Sequence, residues 1–177
     1  MNFEQIIEIS DKVFGKDYLT HKALKSYASN SNSKIIVLEK NERILGFSIV
    51  QIISHKQLEE VIFEEVPLSV NNFTKIGYRK MTAIHPDFRS AGMGQKLFEL
   101  GQNWLEENQV QVVLTVSWIN SKTLKYRKFL EFHDFKPLKK LKAYWRQESL
   151  ERNYQCASCG APPCHCKGML YAKFQKS

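Results

Sequence analysis

The chain has 177 residues and is basic, with 26 Lys and Arg against 18 Asp and Glu for a formal charge of +8; 43% of it is hydrophobic and 25% charged. These proportions fit a single soluble globular domain over residues 1–177 and exclude a disordered, collagen-like or membrane-embedded chain. No apolar run reaches the ~18–20 residues of a membrane span, and the opening MNFEQIIEIS lacks the basic-then-apolar pattern of a secretory signal, so the cytoplasm is the expected compartment.

Phe3, Ile6, Ile7, Val13 and Phe14 recur at helical spacing and predict a first helix that stops near Gly15. A weaker helix is expected from Leu19 to Ala28. The β-branched runs Lys34–Glu39 and Ile44–Ile53 flank a polar turn and predict a hairpin. Residues 55–66 suit a short helix, 67–74 a loop, and Lys75–Ile84 a strand that ends at His85-Pro86. The clearest helix follows, with Met93, Leu97, Leu100, Trp104 and Leu105 along one stripe. Val110–Ile119 is apolar enough for a central strand covered on both faces. A helix over Ser121–Phe132, a strand over Leu138–Arg146 and a last strand over Met169–Phe174 complete a mixed α/β layer sandwich.

Between strand and helix lies Ile84-His85-Pro86-Asp87-Phe88-Arg89-Ser90-Ala91-Gly92-Met93-Gly94-Gln95. Two glycines open backbone conformations that a side chain would block. The N–H groups of a helix start, with the helix dipole behind them, suit a diphosphate. The segment has neither the GxGxxG dinucleotide fingerprint nor the Lys-Ser/Thr of a P-loop.

Arg89-Ser90-Ala91-Gly92-Met93-Gly94 resembles motif A of the GNAT superfamily, the acyl-CoA-dependent N-acyltransferases, whose signature is Gln/Arg-x-x-Gly-x-Gly/Ala between a strand and a helix. The resemblance extends over roughly residues 34–174. It implies a mainly antiparallel central sheet with helices on both faces and splayed central strands, and acetyl transfer from acetyl-CoA to a primary amine, small-molecule or peptide. By this resemblance the N–H groups from Ser90 to Gln95, with Ala91, Gly92, Met93 and Gly94 between, cradle the CoA diphosphate beside Arg89. The backbone of Thr82 and Ile84 pairs with the pantetheine arm. Asn120 either reaches the cofactor or caps a helix. Two departures stand out. The chain opens on a helix where the family has a strand. The family's tyrosine, proton donor to the leaving thiolate, falls on Leu130 when counted back from Phe135; Tyr126, one turn earlier, is the substitute candidate.

Direct transfer needs a base for the incoming ammonium, a donor for the oxyanion and an acid for the thiolate. Tyr78, Glu64, Glu65, Ser117 and Tyr126 are candidates, and His85 is expected to be solvent-exposed in its turn.

All four cysteines, Cys156, Cys159, Cys164 and Cys166, fall in one short segment with C-x2-C and C-x-C spacing. So tight a cluster closes no long loop, and it reads as a metal site or a redox patch. The first pair followed by Gly160 resembles a zinc knuckle, and four thiolates suit Zn²⁺. Two local disulfides, a thiol redox patch and His165 as a replacement ligand are the alternatives. The expected role is structural, and the stretch from Tyr144 onward looks like a bacterial GNAT subgroup with a cysteine-rich C-terminus.

Residues 122–146 carry nine basic residues against two acids. A solvated face explains this, as does capture of an anionic ligand. Competing readings are a zinc-stabilised nucleic-acid-binding module, which leaves the glycine turn unexplained, and a CoA-binding relative without turnover. Nucleic acid and membrane are not expected partners, and a homodimer is compatible with the sequence.

Overall fold

The computed structural model describes residues 1–89, 92–120 and 124–175. The elements are α1 (Phe3–Val13), α2 (His21–Ser29), β1 (Ser33–Lys40), β2 (Arg43–Ile53), α3 (His55–Ile62), β3 (Ile76–Ile84), α4 (Met93–Glu107), β4 (Val112–Trp118), α5 (Leu124–Phe132), β5 (Lys136–Leu141), α6 (Arg146–Arg152) and β6 (Gly168–Phe174). Polar side chains start the first three helices. Asn2 accepts from the N–H groups of Glu4 and Gln5, Thr20 from that of Ala23, and Ser54 forms a reciprocal pair with Gln57. The β1–β2 hairpin closes on Asn41 and Glu42, both at positive φ (51° and 61°), the primed-turn geometry that matches strand twist.

The six strands form one sheet in the order β1-β2-β3-β4-β6-β5. Every neighbouring pair is antiparallel except β3–β4. Alternation along the strands divides the core between two faces. Val113 and Tyr171 pack with Leu97, Phe98 and Leu105 of α4 and Leu130 of α5. Val112, Leu114, Leu170 and Ala172 pack with Leu58 and Ile62 of α3 on the opposite face, where Phe47 and Ile49 meet α1 and α2. The sheet begins after two helices, as the sequence suggested.

Two expectations change in detail. The strand expected over Leu138–Arg146 is β5, six residues ending at Leu141. The chain then turns through Ala143, at positive φ (48°), into the unexpected helix α6. The buried stripe of α4 is Leu97, Phe98, Gly101, Gln102 and Leu105, whereas Leu100 is 40% exposed. The second cysteine pair lies in irregular chain before β6, outside any strand.

One irregularity positions the site. In the β2–β3 ladder Val50 faces Arg79 and Ile49 faces Met81, which leaves Lys80 as the extra residue of a bulge. At the same level the parallel β3–β4 pairing ends, at Arg79 opposite Thr115, although β3 continues to Ile84 and β4 to Trp118. The two central strands part beyond that point.

Candidate active site

A cavity of about 690 Å³ occupies the gap where β3 and β4 separate. Its walls come from both faces of the sheet. On the α4 side they are Arg89, Gly94, Gln95, Phe98, Lys125, Tyr126 and Phe129. Thr82, Ile84, Thr115, Ser117 and Asn120 stand along the gap. On the α1 side the walls are Tyr18, Tyr78, Lys80, Trp118, Tyr144, Trp145, Glu148 and Tyr154.

The α4 end is built from backbone. Gly92 is the residue before the helix, at φ +73°, a left-handed conformation open to glycine. Among the described residues no side chain caps this helix, so the first N–H groups, at Met93, Gly94 and Gln95, are orphan donors. A Cβ added at Gly92 or at Gly94 would meet nothing within 4 Å, so the space before these amides is open. Ser90 and Ala91 lie outside the described residues. His85 is only 3% exposed, which corrects the expected exposed position. Its Nδ1 accepts from the N–H of Asp87 (3.3 Å), and its Nε2 lies 2.9 Å from Lys12 Nζ of α1. Those partners make it a brace for the turn, and it does not line the cavity.

Tyr126 reaches the cavity, one turn ahead of Leu130, whose side chain is fully buried in the core. Burial raises the phenol pKa above its ordinary value, against the pull of the Arg79 guanidinium and a hydrogen bond with Thr115, so the hydroxyl is protonated at neutral pH. Arg79 is itself buried, with its guanidinium 4.2 Å from the Phe98 ring centroid and Nη2 donating to the Phe98 carbonyl (3.2 Å). Tyr78 lines the α1 side, its hydroxyl 3.1 Å from that of Tyr144; burial raises both phenols. Ser117 is buried and lines the gap. Glu64 and Glu65 are not brought to the cavity. Glu64 pairs with Lys139 (3.5 Å) and accepts from the N–H of Lys142 (3.0 Å), and the Glu65 carbonyl accepts from Lys139 Nζ (2.7 Å), which fastens them to β5.

The α1 side holds residues not anticipated from the sequence. Lys80 and Glu148 form an ion pair at 3.6 Å with side chains only 17% and 18% exposed. Arg152 Nη1 lies 2.5 Å from the same Glu148 oxygen, and its Nη2 donates to the Tyr18 carbonyl. Burial disfavours charge on Lys80, but the carboxylate and the surrounding tyrosines outweigh it, and its pKa is raised. The sequence held one signal for this: adjacent charges, Arg79-Lys80, inside an otherwise half-apolar central strand. A buried lysine requires a partner, although nothing in the sequence says which.

The four cysteine sulfurs lie within 4.8 Å of one another. Cys156–Cys166 are 3.7 Å apart, Cys159–Cys164 3.8 Å and Cys159–Cys166 3.2 Å. Tetrahedral ligands at about 2.3 Å from Zn²⁺ stand about 3.8 Å from each other, so this donor set fits the ion. A backbone N–H, that of Ser158, points at Cys156 Sγ (3.4 Å). His165 is not in the cluster; its Nδ1 lies 3.5 Å from Arg146 Nη1. Cys156 and Cys164 pack into the core with α1.

A parallel strand pair that splays over a cavity, with a glycine turn feeding a helix at its mouth, is the arrangement of an acetyltransferase. The model of the acetyltransferase (GNAT) family matches residues 3–132, more than half of the chain, and the chain belongs to that family. The fold is shared with the ribosomal-protein-S18-alanine N-acetyltransferase of Escherichia coli (TM-score 0.65, 14% identity, covering 98% of this chain and 88% of that one). It is also shared with Chaetomium thermophilum Naa20 in complex with a bisubstrate analogue (0.69, 14%, 99% and 84%). A third relative in fold is the putative streptothricin acetyltransferase of Bacillus anthracis in complex with acetyl coenzyme A (0.57, 13%, 86% and 68%). No curated protein matches the sequence. No helix among the described residues is long and apolar enough to cross a membrane.

Proposed function

We propose that the whole chain works as one domain that transfers the acetyl group of acetyl-CoA to a primary amine by direct attack. The observation that carries this is the single cavity running from the α4 amides, through the gap between β3 and β4, to the aromatic α1 side. The diphosphate sits on the N–H groups of the turn from Ser90 to Gln95, with Arg89 beside it; helix-start amides and the dipole offset part of its charge. The pantetheine arm runs along the freed edge of β3 at Thr82 and Ile84, where backbone groups are released from pairing with β4. Asn120 lies on this path. The thioester then lies near the bulge, with Tyr126 as the acid for the leaving thiolate and the amine entering from the α1 side. The free amine, not the ammonium, attacks; water or a cavity side chain takes the proton.

The four cysteines hold one structural zinc ion in this reading, carried by the fit of their spacing to tetrahedral coordination. Elemental analysis of the purified protein should find about one zinc per chain, and two disulfides by mass spectrometry would exclude it. The function is tested by titrating acetyl-CoA in a calorimeter and screening amines with free-thiol detection. Binding followed by amine-dependent thiol release supports the reading. Binding without release for any amine would leave a CoA-binding relative without turnover.

A further inference from the structure

Three of the four cysteines, Cys156, Cys164 and Cys166, line the same cavity as Thr82 and Tyr126; exposed Cys159 does not. The segment that carries them is fastened on both flanks. Toward α1, the N–H of Gln155 donates to the Lys16 carbonyl and that of Ala157 to the Phe14 carbonyl, both at 2.9 Å. Gly15 lies between these contacts at φ +119°, so close that a Cβ would collide with the Gln155 carbonyl. Toward α6, the N–H of Cys164 donates to Ser149 Oγ (2.9 Å), next to the Glu148 that pairs with Lys80. Tyr154 joins the two flanks: its ring meets Tyr18 edge-on at 5.0 Å, and its hydroxyl donates to the Trp145 carbonyl. The α1–α2 connection, the cysteine segment and α6 are therefore one continuous wall on the α1 side of the cavity.

We propose that the metal held by the four cysteines sets this wall, so that metal occupancy shapes the acceptor end of the cavity and leaves the acetyl-CoA cradle as it is. The proposal rests on the zinc and acetyl-transfer readings above. Four thiolates drawn onto one ion fix the path of residues 156–166, and through the backbone bonds at Lys16 and Phe14 they fix the α1–α2 connection. Without the ion the segment keeps only its packing and a few hydrogen bonds, because binding energy at such a site is ordering energy for the chain it closes. The cradle depends on the N-terminus of α4, which receives none of these bonds.

The test compares the purified protein with Cys159→Ser, which deletes a ligand that does not touch the cavity. Four quantities are measured: zinc content, acetyl-CoA affinity by calorimetry, amide exchange, and tryptophan emission in a Trp104→Phe background, which leaves Trp118 and Trp145 as the reporters. The variant should lose its zinc. Amide protection should fall by roughly tenfold or more in residues 13–19 and 144–149 as well as 156–166, with a red shift of emission. Acetyl-CoA affinity should stay within about threefold, since no cradle group changes. Protection lost only in 156–166 would overturn the proposal, as would a parallel collapse of acetyl-CoA affinity. A parent protein that binds acetyl-CoA but holds no zinc would defeat the metal reading and this proposal with it. A parent protein that holds zinc but binds no acetyl-CoA would defeat the acetyl-transfer reading while the exchange data still decide on the wall.

Discussion

The two ends of the cavity are made in opposite ways. At the α4 end the described residues offer backbone amides at an uncapped helix start and two glycines with open space before them. The α1 end is assembled from side chains of the α1–α2 connection, β3, β4, the segment after β5, α6 and the cysteine segment, far apart in sequence and joined by tertiary contacts. The first kind of site tolerates drift in everything but its glycines. The second has its chemistry in side chains.

If the contrast holds, substitutions at the two ends will damage different things. The largest effect is expected at Gly15. Gly15→Ala places a Cβ against the Gln155 backbone at a φ that alanine resists; it should cost about 3 kcal/mol, measured as a fall in denaturation midpoint, with loss of order in the cysteine wall. At the other end, Gly94→Val should weaken acetyl-CoA binding by about 100-fold if the diphosphate sits where we propose, because its Cβ meets nothing but the open space before the helix. Stability should hardly change. Position 94 is the cleaner probe, since Gly92 at φ +73° would be strained by any side chain. Unchanged affinity in a folded Gly94→Val protein would remove the cradle. Tyr126→Phe should lower turnover by about 100-fold with acetyl-CoA affinity intact, if the hydroxyl supplies the proton; near-normal turnover returns Tyr126 to a packing role. The smallest effect is expected from Glu148→Gln. It leaves Lys80 and Arg152 without their carboxylate, and for a pair that is mostly but not wholly buried the cost should be about 2 kcal/mol. Acetyl-CoA affinity should be retained, and a variant as stable as the parent would show that the pair is solvated.

The same contrast explains what could be read in the sequence. The first helices, the hairpin and the glycine turn are legible because each is declared locally, by periodicity or by two glycines after a proline. The four cysteines were legible as a cluster because their spacing is short. The α1 wall was not, since nothing local links Tyr18, Lys80, Glu148 and Tyr154. The burial of His85 was missed for the same reason: its partner Lys12 lies on α1, and a proline turn reads as surface until a helix is laid across it. The helix α6 was hidden by the aromatic residues Tyr144 and Trp145, which have strand preference but here pack against the cavity at a turn.

The bulge at Lys80 has a chemical consequence. A thioester next to an amine is a reactive combination, and an acetyltransferase with a lysine facing its own cavity would acylate itself if that amine offered a lone pair. Glu148 at 3.6 Å and a raised pKa keep Lys80 as the ammonium. A protonated nitrogen has no electron pair to donate, so the same charge that costs desolvation energy would make this lysine inert toward a thioester bound as proposed, and an incoming amine would be left as the nucleophile.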